Sequence, residues 1–434
     1  MYTILLSGGS GKRLWPLSGA ARSKQYIPFF KSEEDSVTLS MVQRIWSQLQ
    51  KNGLAEHCIL CAGHLQIENL QAQLGDVPLA VEPAAKDTFP AISLSCAYLK
   101  DKMNASLDDT VCILPVDPYT DHTYFQTLLH MPSVLSASNA DVVLMGIQPK
   151  FPSAHHGYIL TEPLSGPFMY ARQFIEKPDM AKAEQLLRQG ALWNAGVFCL
   201  KIGTVLDKLS KMNLPTHYEQ IYADYDTFPA ISFDYAFVEN CSKIAVVLFT
   251  GAWKDIGTWQ AISQTLGEIR LGDCTVHPSC RHIFTLNETN IPVVLAGVSN
   301  LIAVASYDGI LITHSQNDYG LKEIVNRLPA RPTLQEKRWG SSVVLDYSEE
   351  NGVGCLLRKI HVAANQNTGK QTAKTDTSVS VLKGTGELIL QNKTHTLGFG
   401  DTFFLPVGSE YMLQAKQDLW LTFSQQGSLP LILS

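Results

Sequence analysis

Short apolar runs alternate with amphipathic stretches along the first 265 residues. The runs at 2–7 (YTILLS), 57–62 (HCILCA), 78–82, 110–115 (TVCILP) and 141–147 (DVVLMGI) have the length of strands. Helical spacing covers 38–51, 64–75, 87–102 and 122–136 between them. Further on come strand patterns at 172–177 and 243–249 and helical patterns at 179–189 and 258–267. This rhythm predicts an α/β domain around a mainly parallel sheet, with strands buried on both faces. The pattern then changes. Residues 268–285 hold Gly, Pro, His and two Cys with weak periodicity and read as a linker. Residues 291–325 carry short apolar strands (IPVVLAG, LIAVASYDGILITHS) with no room for helices between them, which predicts a small β-rich module. A second break falls at 328–338 (LPARPTLQEKR). Beyond it, VGCLLRKIHVA, SVSVLKGTGELILQN, GDTFFLPVG and LWLTFSQQ alternate with turn signals, as in an all-β sandwich or barrel. The expected domains are therefore 1–267, 268–330 and 331–434.

Composition narrows the class. The 434 residues are 45% hydrophobic and 17% charged, which excludes disorder, collagen and coiled coil. A net charge of −6 offers no basic field for a nucleic-acid backbone. Nine cysteines without framework spacing suit reduced thiols in a cytosolic protein. Cys58 and Cys61 fall inside one predicted strand with no partner pair, so both read as core residues. The amino terminus lacks a basic n-region, and no stretch reaches about 18 apolar residues. A cytoplasmic protein with no membrane and no nucleic-acid partner is expected.

The first strand runs into Gly8-Gly9-Ser10-Gly11-Lys12-Arg13-Leu14-Trp15-Pro16-Leu17. Three glycines and a serine after a strand leave backbone N–H groups free to face an anion. Lys12, Arg13, Arg22 and Lys24 add charge. The physical reading is a polyphosphate cradle; the bland one is a tight turn with exposed basic residues. Two familiar motifs do not fit. Leu14 stands where a dinucleotide fingerprint needs its third glycine, and Leu6 stands where a P-loop needs its first.

The run GGSGKRLWPLS…SKQ resembles the signature of the sugar-nucleotide pyrophosphorylases, and its Leu-Trp-Pro-Leu-Ser and Lys24-Gln25 resemble the mannose-1-phosphate guanylyltransferase branch. Later stretches agree in order. They are Glu82-Pro83 through Ile92, Leu114-Pro115-Val116-Asp117, Gly157-Tyr158-Ile159, Phe174 to Pro178, Trp193 to Phe198 and Trp253 to Trp259. The resemblance covers residues 1 to about 265, and the carboxyl-terminal organisation is similar to longer members that append a phosphomannose-isomerase cupin. It implies a Rossmann-like nucleotidyltransferase domain with a GT-A-like mixed sheet, a β-helix-like module and a cupin-like β domain.

The implied reaction is attack by a sugar-1-phosphate oxygen on the α-phosphorus of a nucleoside triphosphate, with pyrophosphate leaving. The nucleophile is already an anion, so the work is positioning and charge screening. The resemblance implies Mg²⁺ on Asp117 and Asp255, each at a strand end, with Arg13 and Lys24 as further catalytic groups on the triphosphate. Leu6, Gly8, Gly9, Gly11, Lys12, Glu82, Asp87 and Thr88 would complete the nucleotide site. Gly157, Tyr158, Glu176, Lys177 and Asn194 would hold the sugar phosphate. Asp87 could equally cap the helix that follows it.

Departures from the family pattern leave base and sugar open. They include Lys12, Ser23, Lys86-Asp87, Pro118 and His155-His156, the last read as extended and so unsuited to a shared metal. In the cupin-like part, 371–381 (QTAKTDTSVSV) has no His or Glu, and Tyr411 stands where a last His ligand belongs. A metal-free scaffold without isomerase activity is expected, with His361 and His395 isolated. GDP-mannose synthesis from GTP and mannose-1-phosphate leads. Another sugar-1-phosphate (heptose or glucose), another nucleotide, or a catalytically silent regulatory binder are the alternatives. A homodimer is expected, with the β module and cupin serving packing or assembly.

Overall fold

The alternating apolar runs gather into one nine-stranded sheet. The computed structural model describes residues 1–9, 12–19, 22–31, 38–163, 166–316, 320–328 and 334–428. They form two compact units. The first comprises 1–9, 28–67 and 74–257, the second 10–27, 68–73 and 258–434.

In the first unit the strand order is Leu79–Glu82, Cys58–Gly63, Tyr2–Leu6, Thr110–Pro115, Leu192–Lys201, Val142–Ile147, Ile244–Phe249, Met169–Ile175 and Tyr158–Thr161. The first four are mutually parallel, as their continuous apolar runs predict. Leu192–Lys201 then runs antiparallel to Thr110–Pro115 and to Val142–Ile147. The sheet is therefore mixed rather than mainly parallel. The antiparallel strand carries the Trp-Asn-Ala-Gly-Val-Phe motif, whose Asn and Gly mask a strand pattern. Helices Thr88–Met103 and Thr123–Ser138 lie close to their predicted bounds. Helix Met41–Lys51 starts at a capping box. Ser40 Oγ accepts from Gln43 N, and Gln43 Oε1 accepts from Ser40 N. Cys58 and Cys61 are buried in their strand.

In the second unit, residues 268–285 are not a linker. They contain Arg270–Leu271, Cys274–Val276 and the start of Arg281–Asn287. Arg281–Asn287 pairs in parallel with Ser299–Ser306, and Cys274–Val276 with Val293–Leu295. Parallel strands joined by short coils stack as β-helix-like rungs. Buried Asn287 fixes one corner, donating to Asp273 O and Ile291 O and accepting from Thr289 N. Gly and Pro spacing hid these rungs because their strands are only two to seven residues long. The carboxyl-terminal part is a sandwich of two antiparallel sheets. One has six strands, from Leu334–Lys337 to Leu419–Ser428; the other pairs Gln371–Thr372, Glu410–Ala415, Gly386–Leu390 and Lys393–Leu397.

Candidate active site

The first unit folds a cleft of about 200 Å³ at the carboxyl edge of its sheet. Asp117 follows strand Thr110–Pro115, and Asp255 ends strand Trp253–Asp255. That strand pairs with Pro118–Thr120, placing Asp255 opposite Pro118. Both carboxylates line the cleft, together with Gly157, Glu176, Lys177 and Asn194. Asp255 Oδ1 also accepts from Gly257 N at 2.9 Å, which fixes its turn.

The glycine at 157 is what lets the wall form. A Cβ there would lie 2.4 Å from Glu176 Oε2 and 3.5 Å from Asn194 Cβ. The glycine leaves room for the Glu176 carboxylate in its observed place. Glu176 is buried, and its Oε1 pairs with Lys177 Nζ at 2.8 Å. Burial raises the Glu176 carboxyl despite that partner. Burial alone would lower the Lys177 amine, but Glu176 outweighs it and raises it. Lys177 adopts φ +42°, a left-handed conformation that a lysine rarely takes. Asn194 sits where strand Leu192–Lys201 slips register against Val142–Ile147. Such bulges re-aim side chains. Its Nδ2 donates to Asp234 Oδ1 at 2.7 Å, and its Oδ1 accepts from Gly196 N.

Asp234 lines the same cleft and escaped the sequence reading. Burial first, and the Glu176 charge second, push its carboxyl up to about 7. It lies one residue into a four-residue helix capped by Ser232, which gives no pattern to find. His155 and His156 also line the cleft. They occupy a turn and bend, not an extended run, so both reach it. His156 stands 4.4 Å from the Trp193 ring and 5.7 Å from the Trp253 ring. Burial lowers its pKa, keeping the imidazole neutral at neutral pH. Tyr158 takes a different place from the one expected. Its ring is fully buried, and its hydroxyl accepts from Ser153 N and donates to Ser153 O. It braces the His155-His156 turn and is not among the residues that line the cleft.

On the nucleotide side, Leu6 ends the first strand and Gly8 follows. A Cβ on Gly8 would sit 3.3 Å from Glu82 Oε2, so that glycine lets the carboxylate close in. Gly9 has φ +103°. Burial pushes Glu82 up to about 6, against the stabilising hydrogen bond from Tyr225 Oη at 2.8 Å. Asp87 does cap its helix. It has φ +70°, and its Oδ1 accepts from Thr88 N. Thr88 Oγ1 accepts from Phe233 N. Lys86 Nζ donates to Phe228 O and Asp226 O, anchoring a loop.

Arg13 and Lys24 belong to the second unit, in 3-10 turns Lys12–Leu14 and Lys24–Tyr26; Arg13 is exposed and Lys24 half-buried. Gly11 and the Lys12 side chain lie outside the described residues. Arg22 is not part of a phosphate cradle. It is buried, with Nη1 at 2.7 Å from Glu288 and Nε at 3.1 Å from Glu336. Burial alone would lower its pKa, but the two carboxylates raise it. The same segment is held by Trp259 Nε1 donating to Trp15 O and Ser306 Oγ donating to Pro16 O.

Among the described residues no three His, Cys, Asp or Glu side chains gather as a metal cluster. Four carboxylates line the cleft; Glu176 pairs with Lys177 and Asp234 with Asn194, and Asp117 and Asp255 are the two that the family resemblance gives to a metal. That donor set fits Mg²⁺, which takes one or two protein carboxylates and completes its shell with phosphate and water.

Known proteins resemble this chain over most of its length. The family model described as nucleotidyl transferase matches residues 2–270. The alginate biosynthesis protein AlgA of Pseudomonas aeruginosa is 26% identical, covering 95% of this chain and 90% of its own length. A mannose-1-phosphate guanylyltransferase of Klebsiella pneumoniae is 27% identical, covering 95% and 93%. A crystal structure described as mannose-1-phosphate geranyltransferase from Thermus thermophilus is 28% identical. It superposes with a TM-score of 0.62 over 75% of this chain and 98% of its own. The motifs, the mixed sheet and these likenesses converge: the chain is an enzyme of the nucleotidyl transferase family.

Proposed function

We propose that this enzyme transfers a guanylyl group from GTP to mannose-1-phosphate, forming GDP-mannose and pyrophosphate. The observation that carries the reading is the convergence of Asp117, Asp255, Glu176, Lys177 and Asn194 on one cleft. The printed names of the relatives point to mannose-1-phosphate as acceptor.

The sugar phosphate brings its own anionic nucleophile. An oxygen of that phosphate forms the new bond to the α-phosphorus, and the bond to the pyrophosphate leaving group breaks. No side chain need remove a proton. Lys177 holds the incoming phosphate by charge, and Glu176 beside it accepts from a sugar hydroxyl. The backbone at Gly157 and the Asn194 amide border the sugar ring, with Asp234 fixing the Asn194 orientation. His156, neutral and packed on Trp193, forms the wall where sugar identity is read. On the first unit Leu6, Gly8 and Gly9 offer backbone to the nucleotide, and the family resemblance implies Arg13 and Lys24 for triphosphate oxygens, with Gly11 and Lys12 in the same motif. Glu82, Asp87 and Thr88 border the nucleoside. Asp117 and Asp255 would hold Mg²⁺, which screens the repulsion between the two phosphate groups and stabilises charge on the leaving pyrophosphate.

The test is pyrophosphate release from purified protein with Mg²⁺, crossing four nucleoside triphosphates with mannose-, glucose- and heptose-1-phosphate. Release with GTP and mannose-1-phosphate above all other pairs is the expected result. Release with a different pair overturns the substrate assignment and places specificity at Lys86, Asp87, His155 and His156. No release with any pair, from protein that binds nucleotide, overturns the catalytic reading.

A further inference from the structure

The interior of the carboxyl-terminal sandwich passes from a wholly apolar end to one where polar side chains stand among apolar ones such as Leu356. Strand Leu419–Ser428 faces inward with Leu419, Leu421 and Phe423, all buried, and then with Gln425. Strand Thr377–Lys383 does the same in reverse, from Val381 and Val379 to Thr377, with Thr375 just before it. Strand Val353–Val362 passes from Val362 and Ile360 to Arg358. Arg358 pairs in register with Phe423, and Thr377 with Gln425. Arg358 therefore stands one step along the same face from Gln425 and Thr377, which are level with buried Leu356.

Arg358 is a cation without a counterion. Its Nη2 donates to Gln425 Oε1 at 2.5 Å, and its Nε is buried with no partner. Among the described residues no carboxylate pairs with it. Gln425 Nε2 in turn donates to Thr377 Oγ1 at 3.0 Å and Thr375 Oγ1 at 3.4 Å. Tyr411 lies beside the guanidinium and packs on Phe423 with ring centroids 6.2 Å apart. Burial raises the Tyr411 hydroxyl, so it stays a neutral donor. Buried charges in proteins are paired or bind a ligand. Arg358 is half-buried with its Nε buried; its guanidinium donates to one amide oxygen, and among the described residues nothing negative pairs with it.

The cupin resemblance would put metal ligands within 371–381, the segment that holds Thr375 and Thr377, and at Tyr411. A guanidinium among them repels a divalent cation and attracts an oxyanion. We propose that the polar end of the sandwich is an anion-binding site, with Arg358 as its cation and the phosphate or carboxylate of a small polar metabolite as its ligand. The guanidinium fork matches either group through two parallel hydrogen bonds. Tyr411 and the threonine hydroxyls supply further polar contacts for the ligand. The site is independent of the transferase reading.

The experiment is titration calorimetry on the full chain in chelator-treated buffer. Inorganic phosphate, glucose-6-phosphate and gluconate are the probes. A Lys177→Met background removes anion binding by the cleft lysine. Binding of at least one probe in that background, weakened about 10–100-fold by adding Arg358→Met, is expected. Tighter binding of the sugar phosphate than of phosphate assigns the ligand as a phosphate ester; preference for gluconate assigns it as a carboxylate. Unliganded Arg358→Met should melt no lower than its parent, since removing an unpaired charge offsets the loss of its hydrogen bond to Gln425. Tyr411→Phe, which keeps the ring, should weaken binding several-fold with the melting temperature unchanged. No binding of any probe at about 10 mM, or equal binding with and without Arg358, overturns the proposal. So does a marked fall in the melting temperature of Arg358→Met, because it would show that the protein already compensates the charge.

Discussion

Two cations mark the cleft of the first unit and the interior of the carboxyl-terminal sandwich, and they are handled in opposite ways. Lys177 has Glu176 at 2.8 Å and a cleft lined by Asp117, Asp234 and Asp255. Arg358 has an amide oxygen and no carboxylate among the described residues. A third case, Arg22, lies between two carboxylates in the second unit. Together they separate three uses of a partly buried positive charge. Lys177 sits in a carboxylate-rich hollow that takes anions only with added positive charge, Arg22 serves as a structural pivot, and Arg358 stands open to an anion. The partner, not the burial, distinguishes them.

The largest effect that sharpens this contrast is Asp117→Asn. It should cut pyrophosphate release by about 10²–10³-fold while the melting temperature stays within a degree or so. A variant that keeps its turnover would remove Asp117 from the machinery. Next comes Arg22→Met, measured by denaturant unfolding. It strands Glu288 and Glu336, and should cost about 3 kcal/mol, the low end for a broken buried pair because both carboxylates are partly solvated. Arg358→Met should cost nothing in the same measurement. Equal losses would collapse the distinction between pivot and open site.

Glu82→Gln gives a smaller effect with a defined pH sign. Burial raises Glu82 from an ordinary 4.5 to about 6. The folded state therefore binds the proton more tightly than the unfolded state. Its favourable contribution is complete below pH 4.5 and is lost as pH rises through about 6. The glutamine variant should gain up to about 2 kcal/mol relative to wild type at pH 8, and none of that gain at pH 4. A pH-independent difference would mean that Tyr225 and its neighbours fully offset the burial. The smallest effect is Tyr158→Phe. Losing the hydroxyl that spans Ser153 N and Ser153 O should cost about 1 kcal/mol and raise the KM for sugar phosphate only slightly. A large loss in kcat would return Tyr158 to the ligand side.

Much of the fold was legible because it is written in local periodicity. Runs such as Thr110–Pro115 and Val142–Ile147 are apolar on both faces and can only be central strands. Leu192–Lys201 was missed as a strand because its glycine and asparagine serve the cleft, where a bulge interrupts the pairing. The rungs from Arg270 to Asn287 were missed because each is too short to show a period. Arg22 was misread for a different reason. Nine residues after Arg13 in a basic, glycine-rich stretch, it looks like a phosphate ligand. Its carboxylate partners stand 266 and 314 positions away in sequence. Asp234 had no signal at all, since a single Asp after a phenylalanine in a short helix is ordinary.

The sequence by itself determined the family, the central strands and most of the groups that meet in the cleft, Asp234 and the two histidines aside. Those properties follow from residue types at short spacing, where side-chain chemistry and backbone preference act locally. Only the tertiary structure decided how the sheet mixes its directions, that Gly157 makes room for Glu176 beside Asn194, that Tyr158 braces a turn, and which arginine is paired. Those outcomes depend on contacts between residues distant in the chain, and burial is a property of the assembled fold rather than of any segment within it.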